Sequence, residues 1–147
     1  MDPDLRRALD HVEIIDVLNR YALALDTQDW DLLRTVFTDD AVGDYSAGTY
    51  EGFDAIKGLV DRALGPLDAS QHLIGSQAIT SLDGDAATAT CYLHAQHVKV
   101  GTPGGDQLIK AGYYTDRLVR TEAGWRIAHR RLTITWENGN PAVLDAR

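Results

Sequence analysis

The chain has one cysteine, Cys91, in 147 residues. No disulfide can close within it, and no thiolate zinc site can be built from one copy. A lone cysteine fits a reducing compartment. Basic charge is also scarce. Lys plus Arg number 14 against 22 Asp plus Glu, giving a formal net charge of −8. A surface of that sign repels phosphate, so neither nucleic acid nor anionic membrane is expected as a partner. No apolar run approaches the roughly 20 residues of a membrane span. The opening residues, Met1-Asp2-Pro3-Asp4-Leu5-Arg6-Arg7, lack the apolar stretch of a signal peptide. A cytoplasmic location is the expectation. Internal repeats are absent, as are G-x-S-x-G, phosphate-loop and G-x-G-x-x-G motifs. No compact trio of metal ligands occurs, so neither metal nor cofactor is expected.

What is present is ordinary globular composition, 44% apolar and 24% charged. The length suits one domain, 1–147. Leu5, Leu9, Val12, Ile15, Leu18, Ala22 and Leu25 recur at steps of three and four, the mark of an amphipathic helix over 4–26. Asp29 is an N-cap for a second helix over 30–37. Asp54 caps a third, stopped by Gly65-Pro66. From about residue 70 the texture changes. Extended segments at 70–82, 87–100, 107–120 and 125–136 are joined by turns such as Asp83-Gly84-Asp85 and Glu122-Ala123-Gly124. Helices first and a meander after predict an α+β fold. Its form would be a strongly curved, mostly antiparallel sheet wrapped on three N-terminal helices, a cone enclosing a pocket.

Four residues are candidates for chemistry in that pocket. Asp26 ends the first helix, where the dipole disfavours a carboxylate and partial burial would raise its pKa. Tyr21 lies one helical turn earlier, its ring on the core and its hydroxyl toward the pocket. His72 opens a strand and carries a proton near neutral pH. Arg130 and Arg131 face opposite ways, so at most one enters the cavity. His94 and His97, three apart on one strand, likewise point to opposite faces and cannot share a metal site. His11 and His129 read as surface residues.

The pattern resembles the SnoaL-like branch of the nuclear-transport-factor-2-like superfamily. The resemblance rests on Ile14-Ile15-Asp16-Val17-Leu18, Arg20-Tyr21-Ala22-Leu23-Ala24-Leu25-Asp26, Phe37-Thr38-Asp39-Asp40-Ala41, Gln71-His72-Leu73-Ile74-Gly75, Gly112-Tyr113-Tyr114-Thr115-Asp116 and Gly124-Trp125-Arg126-Ile127. It implies that Asp26 and His72 match the Asp–His pair with which this superfamily's bile-acid dehydratase and hexachlorocyclohexane dehydrochlorinase take a proton. Tyr21 resembles a tyrosine of the former and stands where the latter has a lysine. Arg130 matches a cavity arginine of the latter.

The expected activity is that of a cofactor-independent lyase or isomerase. His72 would be general base, Asp26 its orienting partner, Tyr21 a proton donor and Arg130 a stabiliser of negative charge. Trp30, Phe37, Phe53, Leu73 and Trp136 would line the pocket. Its occupant would be a small apolar, aromatic, polyketide-like or steroid-like molecule. The alternatives are a ligand-binding or assembly domain without turnover, and a polyketide cyclase or epoxide hydrolase. A homo-oligomer is what the resemblance implies.

Overall fold

Asp2 starts the first helix by accepting from the backbone N–H groups of Asp4 and Leu5 at 2.8 and 3.3 Å. Pro3 occupies the position where a missing N–H costs nothing. In the computed structural model, which describes residues 1–145, this helix is α1, Pro3–Thr27. Residues 146–147 of the expected domain lie outside the described residues. Gln28 ends α1 in the left-handed conformation, φ 52°. The buried stripe is Ile14, Val17, Leu18, Tyr21, Ala24 and Leu25. It departs from the expected stripe in the first half, where Leu5, Leu9 and Val12 are exposed. There Asp10 is buried instead, held by both terminal nitrogens of Arg120 at 2.6 and 2.8 Å and by the Trp125 indole at 3.1 Å.

Asp29 caps α2 through the Leu32 N–H at 2.9 Å, as the sequence predicts. The helix spans only Trp30–Arg34, however, because Phe37 already belongs to a strand. That strand, β1 (Phe37–Tyr45), turns back through β2 (Gly48–Glu51). Helix α3 (Phe53–Leu64) is capped by Gly52, not by Asp54. Gly52 has φ 87°, which suits glycine, and Asp54 lies in the first turn, paired with Arg34 at 3.2 Å.

Four long strands follow: β3 (Ala69–Asp83), β4 (Ala86–Val98), β5 (Gln107–Thr121) and β6 (Gly124–Gly139). A short 3₁₀ turn, Pro141–Leu144, comes last. The six strands form one curved sheet in the order β2-β1-β6-β5-β4-β3. All pairings are antiparallel except β1 with β6. The fold is thus α+β, with three α-helices among the described residues. None of them is long and apolar enough to cross a membrane.

Two bulges set which residues of β6 face inward. Opposite Arg117 and Leu118 the partners are His129 and Ile127, so Ala128 is the extra residue. Opposite Ala111 and Gly112 they are Trp136 and Ile134, so Thr135 is extra. Gly112 is required there: a Cβ on it would collide with the Thr133 carbonyl oxygen.

Candidate active site

Asp26, on the last turn of α1, has no basic residue nearby on its own helix. Its compensation comes from β3. The Asp26 Oδ1 accepts from His72 Nδ1 at 2.6 Å and from the Ser70 hydroxyl at 3.0 Å. Its Oδ2 accepts from the His72 backbone N–H at 2.8 Å. Burial pushes the carboxyl's pKa up, but the donated hydrogen bonds and the His72 charge outweigh it. The net shift is downward, the reverse of the sequence expectation, and Asp26 stays ionised.

A carboxylate partner requires the hydrogen on Nδ1, so Nε2 of a neutral His72 carries a free lone pair. His72 lines a cavity of about 150 Å³ between the concave face of the sheet, α1 and α3. Its side chain is only 5% exposed. The other walls are largely apolar, with Leu25, Val60, Leu64, Leu93, Ala95, Leu132 and Ile134 among them.

Tyr21 also lines this cavity, and its hydroxyl meets that of Tyr45 at 3.2 Å. Burial pushes the phenols of Tyr45 and Tyr114 well above the usual range, so both remain proton donors.

His97 was not singled out by the sequence. It lies on the concave face with Ala95 and Leu93, two and four residues back. Its ring packs edge-on against His72 with centroids 5.6 Å apart. The Nδ1–H donates to the Leu108 carbonyl at 3.2 Å. Burial and the neighbouring His72 lower its pKa to about 4. His97 is therefore neutral at pH 7 and offers Nε2 as an acceptor. His94 faces the opposite side, against Trp136 at 5.6 Å. The period-two alternation already separated the two; only knowledge of which face is concave selects His97.

Arg130 does not line the cavity. It is wholly buried, bidentate on Asp116 at 2.7 Å through both Nε and Nη2. Its guanidinium lies against the rings of Tyr21 and Tyr114, 4.3 and 3.9 Å from their centroids. Asp116 and the hydrogen bonds to it raise its pKa well above the usual value despite burial. Its charge thus lies behind the tyrosine rings.

The expected lining residues are placed elsewhere as well. Phe37 and Phe53 are core residues 6.5 Å apart, and Phe37 packs on Tyr21 at 5.9 Å. Trp30 lies in a surface groove with Thr27 and Lys57. Leu73 and Trp136 are 56% and 50% exposed on the outer face of the sheet. Leu73 cannot share a face with His72, its neighbour on β3. The bulge at Thr135 sends Trp136 outward opposite Ala111. His11 is exposed, but His129 is half-buried, bonding Asp44 at 2.9 Å. Among the described residues no group of three His, Cys, Asp or Glu side chains is placed to hold a metal ion.

The sequence matches the family model described as the SnoaL-like domain over residues 6–131. It is 32% identical over 141 residues to the terrestric acid biosynthesis cluster protein E of Penicillium crustosum, covering 92% of this chain and 89% of that one. A crystal structure from Kribbella flavida superposes with a TM-score of 0.87 at 27% identity, covering 95% and 99% of the two chains. A hexachlorocyclohexane dehydrochlorinase superposes with a TM-score of 0.84 at 19% identity, covering 93% of each chain, a likeness of fold. The chain therefore belongs to the SnoaL-like family.

Proposed function

We propose that this protein is a small-molecule lyase or isomerase in which His72 removes a proton from carbon. The observation that carries the reading is the 2.6 Å contact from Asp26 to His72 Nδ1, beside an apolar cavity. Membership of the SnoaL-like family supports it. So does the likeness to a protein of a biosynthesis cluster. The dehydrochlorinase shows that the fold can host elimination.

Nε2 of His72 takes the proton, and the C–H electron pair moves toward an adjacent carbonyl or leaving group. Asp26 holds the ring in the reactive tautomer and stabilises the imidazolium that forms. It is a positioning residue. The Tyr21 and Tyr45 hydroxyls donate to the oxygen that gains charge or departs. His97, neutral and fixed by Leu108, accepts from a substrate donor. Arg130 acts through the tyrosine rings it supports.

The test needs no known substrate. Small cyclic ketones and β-hydroxy ketones are incubated in D₂O and followed by proton NMR. The wild type is expected to exchange or eliminate at carbon next to carbonyl, and His72→Ala to lose that activity while keeping its circular dichroism. Activity undiminished in His72→Ala would overturn the proposal.

A further inference from the structure

Lys110 is placed unusually for a lysine. It lies on the concave face of β5, in alternation with Leu108 on one side and with Gly112 and Tyr114 on the other. It lines the same cavity as His72 and is the one Lys or Arg among the described lining residues. Lysine is rarely set against apolar walls unless a partner holds it. The partner available is Glu137, at 3.7 Å, beyond hydrogen-bond range, with its own side chain 45% exposed. A loose, solvated pair of that kind contributes little and leaves the ammonium free to bind something else.

The register locates this charge relative to the base. His72 pairs with Ala95, Ala95 with Lys110, and Lys110 with Glu137, one straight row across the sheet. With strands about 4.8 Å apart, the backbones of His72 and Lys110 are separated by about 10 Å. Both side chains line the one cavity, and the residue between them in the row is the small Ala95. A cavity of about 150 Å³ takes a single ring. Asp26, the carboxylate beside His72, is already satisfied by Ser70 and two groups of His72.

We infer that Lys110 is a specificity residue, and that the ligand of this cavity is a one-ring molecule bearing a carboxylate or other anionic group opposite the carbon presented to His72. The inference deepens the proposed function by naming its substrate class. The lysine would hold the anion near the cavity mouth and so fix which carbon meets Nε2.

Benzoate and benzyl alcohol, alike in ring and size, are the probes, titrated by calorimetry or ligand-observed NMR. Wild type is expected to bind benzoate about ten- to a hundredfold more tightly, a preference that weakens with added salt. Lys110→Met, which keeps the apolar stem, should bind both alike, and Lys110→Arg should restore the preference. His72→Ala should keep it. Loss of proton-transfer activity and loss of anion preference are thus read separately, and the second can hold where the first fails. Equal affinities in wild type, a preference that survives Lys110→Met, or no saturable benzoate binding would each overturn the inference.

Discussion

Asp26 gathers three donors at a helix terminus whose own carbonyls oppose a negative charge. Its residue type and place were legible from the sequence, but the sign of its pKa shift was not. Burial is a local property that sequence suggests, whereas the donors come from a strand more than 40 residues later. If Asp26 fixes the reactive tautomer, Asp26→Asn should cut proton transfer by about 100-fold or more without unfolding the protein. Steady-state rates on whichever ketone the wild type turns over provide the check. His97 predicts a pH effect on stability. Folded, its pKa is about 4, and the ordinary value is 6.5. Between those values the unfolded chain binds more protons. The contribution of neutral His97 is therefore complete above pH 6.5 and is lost as pH falls toward 4. Asp26, also lowered, adds loss in the same direction at more acidic pH. Melting temperatures across this range should fall with pH, and His97→Gln should flatten the part between about 6.5 and 4.

At the scale of elements, the helices and strands follow from periodicity and capping, and the errors have physical causes. In the first half of α1 a step of three or four also fits exposed leucines, while the buried residue there is an aspartate paired with an arginine from β5. Helix α2 stops short of Phe37 because Phe37 pairs with Ile127 of β6, a contact no local pattern announces. The bulge at Ala128 turns Arg130 inward where unbroken alternation from Ile127 would turn His129 inward. Its guanidinium then joins β5 to β6 through Asp116. Both side chains are fully buried, so breaking one partner leaves an uncompensated charge. Asp116→Asn should lower unfolding free energy by about 3–5 kcal/mol in urea titrations. Replacing both partners with apolar residues of similar volume should cost much less. Equal losses in the single and double variants would contradict this account of the pair.

Across the whole molecule, the α+β class and the curved sheet were readable from the change of texture near residue 70. The cavity lining was not. It is built by the concave face, and a strand pattern alone does not say which of its two faces that is. Tyr45 is not legible as a site residue for a related reason: it meets Tyr21 only because β1 runs parallel to β6 and α1 crosses the sheet. Assembly of the proposed base depends on this topology, since Asp26 is on α1, His72 on β3 and His97 on β4, while the cavity closes against α3. The central claim is that Asp26 holds a hydrogen on His72 Nδ1 and leaves Nε2 to the cavity. Nitrogen-15 NMR of the histidine rings measures that directly. The account predicts that the neutral form of His72 carries its hydrogen on Nδ1, with Asp26→Asn altering the tautomer balance. A neutral His72 protonated on Nε2, or one unaffected by Asp26→Asn, would contradict it.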